Sequence, residues 1–455
     1  MAPSQSPSSS DHDRDILALA LPALGSLAVD PLVSLVDTAF VGRLGAAELG
    51  ALGINASLFT MAFIVFNFLA YGTTPRVARA LSQGDRDEAG RAVTQALILA
   101  VVAGVVVLVA LQVLAEPLLV LMGAKGPLWE PALTYLRIRV LAGPAVLLFS
   151  AARGAFRGYQ DTRTNMKVTV LLNLINLALD PLLIFGLGWG IAGAATATVI
   201  AQWAGALIMV GLLLGWRRRE LGVVLALPYP RQLLPFLSVG WRLLIRTGAL
   251  VGTMTAATAV AARHGVSDAA AHQIANQLWG FLALAVDALA VAAQALIARH
   301  LGEGVEGVAR QVGDRLLVWG LGAGLVLGVL LGLLRGPLVT LFTQDPEVTA
   351  IAAELLLWVA LLQPLGGVVF VWDGIYMGAE RFGYLAVAML LSAALALGLL
   401  ALVLPMGWGI HGVWGAIALL MVVRLGTLAV PWWQRRAFGP GDEADRGRQA
   451  MADEA

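Results

Sequence analysis

Five acids lie where an apolar chain can least accommodate them. Asp30 and Asp37 sit in LPALGSLAVDPLVSLVDTAFVGRLG at 21–45, Asp180 is the penultimate residue of NLINLALDP, and Asp287 and Asp373 lie in later apolar runs. An ionised side chain near a bilayer centre costs about 2.5–3.5 kcal/mol on insertion scales, so such a group persists where it faces a cavity or a partner. At a helical rise of about 1.5 Å per residue, Asp37 lies roughly 6 Å from the end of its segment and Asp180 roughly 10 Å from the same side. Thr198 falls at a similar depth, and Asn176 is one turn from Asp180 on the same helix face. Two acids, an amide and a hydroxyl at one level form an all-oxygen cluster. It could hold a proton, because burial and a second carboxylate both disfavour full ionisation. It could equally coordinate a hard cation such as Na⁺, or simply tie helices together by hydrogen bonds. Pro22 and Pro31 remove backbone donors from the segment that carries Asp37, giving it built-in hinge points.

The elements that must position these residues are membrane helices. The chain has 455 residues, 59% hydrophobic and 13% charged, with a mean hydropathy of +0.82. Soluble domains average nearer 45–50% apolar and about 25% charged. The 51 glycines suit close helix packing. With Cys 0 there is no disulfide, thiolate metal site or cysteine nucleophile. The polar start MAPSQSPSSSDHDRD has no apolar core of a cleaved signal and reads as a tail.

Twelve apolar segments of spanning length follow, near 15–41, 49–75, 90–115, 128–152, 164–187, 191–215, 232–262, 267–294, 310–334, 347–372, 382–404 and 410–434. None alternates with a period of two, which favours helices over a barrel. Loops after even-numbered segments are rich in arginine (Arg76, Arg79, Arg153, Arg157, Arg217, Arg218, Arg219, Arg299), whereas the opposite loops hold Arg43, Lys125, Arg263 and Arg335. The positive-inside rule therefore expects both termini in the cytoplasm. Trp129, Trp189, Trp216, Trp408, Trp432 and Trp433 lie at segment ends, as interfacial anchors would.

The chain also repeats. A shift of 220 residues lays Gly45 on Gly265, Arg79 on Arg299, Pro117 on Pro337, Pro144 on Pro364, Gly154 on Gly374 and Gly158 on Gly378, and GWGIAG at 188–193 meets GWGIHG at 407–412. Six spans per copy make the repeat parallel, an arrangement found in transporters. The expected organisation is a disordered tail over 1–14, an N-lobe over 15–215, a linker over 216–231, a C-lobe over 232–436 and a second disordered tail over 437–455.

At this point the chain resembles the multidrug and toxic compound extrusion (MATE) family. The resemblance rests on DPLVSLVDTAFVGRLG, AYGTTPRVARALSQGDRDEAGRA, GAFRGYQDTRTNMK and NLINLALDP, and it spans about 15–436. The pattern around Asp37 and Asp180 is most similar to the DNA-damage-inducible F branch. The resemblance implies an all-α membrane protein, with twelve transmembrane helices in two pseudo-symmetric six-helix lobes around a V-shaped cleft. It implies export of cationic or amphipathic compounds driven by inward H⁺ or Na⁺, with Asp37, Asn176, Asp180 and Thr198 matching the family's first-lobe cation site.

Asp373 resembles a position used for cations in sodium-coupled branches, but helix 7 offers Arg242 and Arg246 where those branches have a second acid. Protons are therefore the expected coupling ion, with Na⁺ the alternative. Val33 replaces an aromatic sometimes found near the first-lobe site. Asp30 is either a relay step or a partner for backbone donors near Pro31. Arg153, where the family often has a neutral side chain, either reaches to the cytoplasm or neutralises an acid. His272, with Gln273, Asn276 and Gln277, makes a polar face that suits helix packing or a cleft lining.

No metal-ligand spacing, phosphate loop or paired catalytic motif is present. The expectation is a monomeric secondary antiporter of the plasma (inner) membrane, with lipids and a small-molecule substrate as partners. No enzyme activity, cofactor or nucleic acid is expected. A lipid-precursor flippase of the same superfamily is the alternative, but it would want a more basic cleft.

Overall fold

The structure is a computed structural model that describes residues 9–122, 124–223, 230–342 and 345–438. Among these residues there is no strand, and twelve helices are long and apolar enough to cross a membrane. They are α1 (His12–Gly42), α2 (Ala47–Ser82), α3 (Arg86–Val113), α4 (Gly126–Gly158), α5 (Thr162–Gly186), α6 (Gly190–Trp216), α7 (Ser238–Ala261), α8 (Ser267–Gly302), α9 (Glu306–Thr340), α10 (Pro346–Gly378), α11 (Phe382–Met406) and α12 (Gly409–Trp433). The expected tail residues 1–8 and 439–455, and linker residues 224–229, lie outside the described residues.

The chain divides into two compact units. One holds Leu21–Gly240, the other Met1–Ala20 with Trp241–Ala455. This differs from lobes that begin at 15 and 232. The two crossing points, after residues 20 and 240, are themselves one repeat length apart. The first turns of α1 belong with the second unit for a clear reason. The Asp13 carboxylate accepts Arg315 Nε and Nη2, both at 2.6 Å, and Trp319 Nε1 at 2.8 Å. The helix accordingly starts at Ser9, so residues 9–14 are helical rather than tail. At the other crossing the helix that contains α7 starts at Pro230, and the Gly240 backbone lies so close to Phe68 that a methyl there would stand 3.0 Å from its ring.

Within each unit the same glycine seams hold the helices together. In the first, a methyl built on Gly154 of α4 would stand 2.6 Å from the Ala70 carbonyl oxygen of α2, and one on Gly104 of α3 only 2.4 Å from Pro144 Cα. In the second, Gly374 of α10 would meet the Ala290 oxygen of α8 at 2.3 Å, and Gly324 of α9 would meet Pro364 Cα at 2.8 Å. Each pair of partners is displaced by one repeat length, so the repeat preserves contacts as well as residues. Small residues let membrane helices approach this closely. Turns repeat as well: Gln160 and Glu380 carry φ values of 59° and 56°, and Gly188 and Gly407 carry 69° and 65°.

Between those two turns the repeat length changes by one residue, and the structure shows where. α5 ends in a wider π turn, Leu182–Gly186, in which Leu187 N–H donates to Leu182 O. Its counterpart α11 is regular α-helix over Phe382–Met406. A π turn accommodates one extra residue, and such turns cluster at functional sites. This one follows Asp180 and Pro181 directly.

Tryptophan placement partly departs from expectation. Trp189, Trp216, Trp408 and Trp433 are exposed, as interfacial anchors should be, but Trp432 is buried and donates to Asp314 at 2.9 Å.

Candidate functional site

Two apolar anchors set the faces that carry the first-lobe acids. Val41 is one turn from Asp37 on α1, and Ile184 one turn from Asp180 on α5; both are buried in a cluster with Leu136 and Ala195. With those faces packed inward, the two carboxyl groups come within hydrogen-bonding reach of each other. Asn176, oriented with its amide nitrogen toward α1, donates to Asp37 Oδ1 and Oδ2 at 3.1 and 3.2 Å. Asp180 and Asn176 are 1% and 4% exposed, and Asp180 Oδ1 has no hydrogen-bond partner. The spacing argument thus assembled three of its four residues. Thr198 is the fourth, and its hydroxyl hydrogen goes to its own helix, donating to Ala194 O at 2.9 Å.

Two residues of α4, absent from the sequence reading, lie in the electrostatic neighbourhood of these acids. The buried Tyr135 side chain lies in the field of both acids and of Arg139. Arg139 acts electrostatically on Asp37, and its guanidinium carbon is 4.9 Å from the centroid of the Phe59 ring. Pro144 has no N–H for the Val140 carbonyl, and the helix tightens into a 3₁₀ turn over Val140–Ala142, immediately after Arg139. A signal was available in sequence. Tyr135 and Arg139 are four apart, hence on one face, and an arginine well inside an apolar segment is by default a functional candidate.

Nearer the arginine-rich end of the same unit lies a second polar group. Asn173 Nδ2 donates to Asp30 Oδ1 at 2.7 Å, and Arg153 Nη1 stands 3.9 Å from Asp30 Oδ2. Arg153 also reaches Ser26 Oγ at 3.4 Å. Of the two fates considered for Arg153, the structure shows the neutralising one. Asp30 takes side-chain partners rather than backbone donors near the proline. Pro22 and Pro31 sit inside a continuous helix, so the two hinge candidates are points of missing backbone hydrogen bonds without a break.

The second-lobe acids are placed differently. Asp373, 3% exposed, accepts Arg246 Nη2 and Arg424 Nη2 on the same carboxylate oxygen. Asp287 lies in the field of Arg424. Asp373 is therefore engaged through one carboxylate oxygen by two guanidinium groups, one of them from Arg246, which the sequence offered on helix 7 in place of a second acid. His272 packs, as one of its two readings had it: it is buried, its Nε2 lies 3.2 Å from Thr258 Oγ1, and its ring meets Trp414 edge-on. No group of His, Cys, Asp or Glu suited to a metal occurs among the described residues.

Laying one lobe on the other tests whether packing demands the first-lobe cluster. One repeat length on, Asp37, Tyr135, Arg139, Asn176 and Asp180 correspond to Ala257, Leu355, Val359, Ala396 and Leu400. All five of those are buried. The fold closes over this position with apolar side chains alone.

Comparison with known proteins agrees with this architecture. The MatE family model matches residues 22–182 and 248–402. Protein DETOXIFICATION 44, chloroplastic, of Arabidopsis thaliana is 38% identical over 92% of this chain and 83% of its own length. DNA damage-inducible protein F of Escherichia coli is 29% identical over 92% of each chain. Among solved structures, the Vibrio cholerae MATE transporter VcmN in the bent form superposes with a TM-score of 0.87 at 21% identity, over 94% of this chain and 98% of that one. With twelve spanning helices in two repeats and matches along nearly its whole length, this chain is an integral membrane transporter and belongs to the MatE family.

Proposed function

We propose that this chain is a secondary antiporter that exports cationic or amphipathic small molecules in exchange for protons, with Asp37 and Asp180 as the protonation site. The observation that carries the reading is the closeness of these two carboxyl groups, Asp180 buried and Asp37 partly so, on different helices. Two carboxylates in contact repel unless a proton is shared between them. Loading and losing that proton therefore changes how well α1 packs on α5. A ligand shifts a conformational equilibrium only by its differential affinity for the two states, and couplings of about 1–3 kcal/mol are usual. Pro22 and Pro31 leave two places along α1 where such a change of packing can become a change of bend. Support for a functional rather than a packing role comes from the second lobe, where the equivalent positions are apolar.

The arginine distribution supports an orientation with both termini on the cytoplasmic side. Cleavage of an epitope at either terminus in sealed vesicles of known sidedness tests that orientation. The function is tested in proteoliposomes with pH and Na⁺ gradients imposed separately. Export is expected to follow the pH gradient, and transport driven by Na⁺ at fixed pH with no response to pH would overturn the proton reading.

A further inference from the structure

Helix α1 meets α5 through a ladder of polar side chains at constant register. Ser26 Oγ lies 3.1 Å from Thr169 Oγ1, and Asn173 Nδ2 donates to Asp30 Oδ1 at 2.7 Å; both pairs are 143 positions apart. Asp37 and Asp180 have the same separation. Residues 26, 30 and 37 share one face of α1, and 169, 173, 176 and 180 share one face of α5. At the outer end Asn176 donates to both Asp37 oxygens. Ser26, Thr169 and Asn173 are buried, and Asn173 Nδ2 also donates to Thr169 O at 2.9 Å, which fixes its side chain. One repeat length on, Asp30, Thr169 and Asn173 become Leu250, Met389 and Ala393, and Ser26 becomes Arg246, which bonds to Asp373 of α10 instead. The second repeat forms without these rungs.

We propose that Asn173 is a positioning residue of the coupling site: through Asp30 it locks the register of α1 on α5, so that Asp37 comes to rest beside Asn176 and Asp180. This rests on the reading of that acid pair as the coupling site. A slip of one residue moves a helix by about 1.5 Å along its axis, which takes a 2.7 Å bond out of range and carries Asp37 away from its partners. Pro31 follows the Asp30 rung directly and denies Leu27 O its helical N–H. The rungs thus hold the stretch of α1 before the proline, and the stretch that bears Asp37 lies beyond it.

The test measures export against pH in proteoliposomes of full-length protein. Carboxyl groups held together share a proton, and parted they ionise more readily. Asn173→Ala should therefore move the midpoint of export to lower pH by about 0.5–1 unit, the equivalent of one interhelical hydrogen bond. Arg139 and Tyr135, whose charges act on the pair from α4, and Arg153, which stands beside Asp30, are left in place. Asp30→Ala removes the same rung from its exposed side and should reproduce the shift, which keeps the test open should Asn173→Ala not fold. Asp30→Asn keeps an acceptor for Asn173 and should keep the wild-type midpoint. Asn173→Asp sets two carboxylates at the rung and should shift the midpoint, and adding Asp30→Asn reverses donor and acceptor and should restore it.

Unmoved midpoints in both alanine variants, a shift in Asp30→Asn as large as theirs, or failure of the reversed pair to restore the midpoint overturns the proposal. Asp37→Asn, with the rung intact, separates the two readings. Near wild-type export by Asp37→Asn makes the coupling-site assignment itself wrong. Loss of export there, with unmoved midpoints in the rung variants, overturns only the positioning role.

Discussion

The two repeats share their helix seams and divide their charges. At the level of Asp37 the first lobe is polar and the second, at Ala257, Leu355, Val359, Ala396 and Leu400, is apolar. Nearer the arginine-rich ends both lobes link their first and fourth helices by an acid–arginine pair, with the polarity reversed. In the first lobe the acid is Asp30 on α1 and the arginine Arg153 on α4. In the second the arginine is Arg246 on α7 and the acid Asp373 on α10. The first-lobe pair is loose, at 3.9 Å with an acid side chain 48% exposed; in the second lobe two arginines close on an acid side chain 4% exposed. A duplicated fold has thus kept one copy's charges tightly matched and left the other's less so. Loosely matched charges can change partners during a transport cycle, which is consistent with the proposal that coupling lies in the first lobe.

The largest effect should come from giving the first lobe the second lobe's residues. The fivefold variant Asp37→Ala, Tyr135→Leu, Arg139→Val, Asn176→Ala, Asp180→Leu is expected to insert and fold, since the second lobe packs these same side chains, and to lose coupled transport entirely. Asp37→Asn and Asp180→Asn alone should also abolish it. Efflux from vesicles, alongside size-exclusion behaviour in detergent, checks both halves. Near wild-type export by any of them would break the division of labour between the lobes.

The converse holds for Asp373. Removing one partner of a buried ion pair costs about 3–5 kcal/mol, because the remaining charges are left uncompensated. Asp373→Asn leaves Arg246 and Arg424 facing each other and should lower the unfolding temperature sharply. Asp30→Asn, which loosens a half-exposed pair, should barely move it. If the two variants lose equal stability, the contrast between tight and loose pairs is false.

The glycine seams sharpen the comparison from the other side, because here the lobes should behave alike. A methyl on Gly154 or Gly374 would overlap a backbone carbonyl of the facing helix, Ala70 or Ala290. Overpacking of this kind costs about 1–3 kcal/mol. Gly154→Ala and Gly374→Ala should therefore destabilise by similar amounts in the same unfolding assay. A large difference would show that the two seams, although built from equivalent residues, carry different loads.

The twelve helices, the two-copy plan and the pairing of Asp37 with Asp180 were legible in sequence, because hydropathy, repeat spacing and depth along a helix are one-dimensional quantities. Arg139, Tyr135 and Arg424 were not picked out. Most positive charges were read as loop signals, with Arg153, Arg242 and Arg246 the exceptions, and an arginine deep in an apolar run elsewhere belongs to neither loop nor acid list. For Thr198, spacing gives a depth but not that its hydroxyl hydrogen goes to the carbonyl four residues back on its own helix. The transfer of residues 9–20 to the second unit goes with long-range contacts such as Asp13 with Arg315, separated by 302 positions. No local pattern announces a partner that distant.

The smallest expected difference lies outside the membrane spans, at the start of α5. Asp161 caps this helix: its Oδ1 accepts Thr164 N–H at 2.9 Å and its Oδ2 accepts Arg217 Nη1 at 2.6 Å. The second-lobe counterpart α11 has Arg381 at this position, with no side-chain cap. Burial pushes the Asp161 carboxyl upward, but hydrogen bonds from the Thr164 hydroxyl, Arg217 and the Thr164 amide outweigh it and hold the group below its ordinary value. A carboxyl lowered on folding contributes stability above its unfolded value, near pH 4, and loses that contribution as pH falls through the lower folded value. Replacing an N-cap aspartate by alanine costs typically about 1 kcal/mol. Asp161→Ala should therefore lower the unfolding temperature slightly at pH 7, and the difference from wild type should shrink below about pH 4. Arg381→Ala, at the uncapped equivalent, should show no such pH-dependent difference. A gap between wild type and Asp161→Ala that stays constant down to low pH would mean that Asp161 acts through packing rather than through its charge.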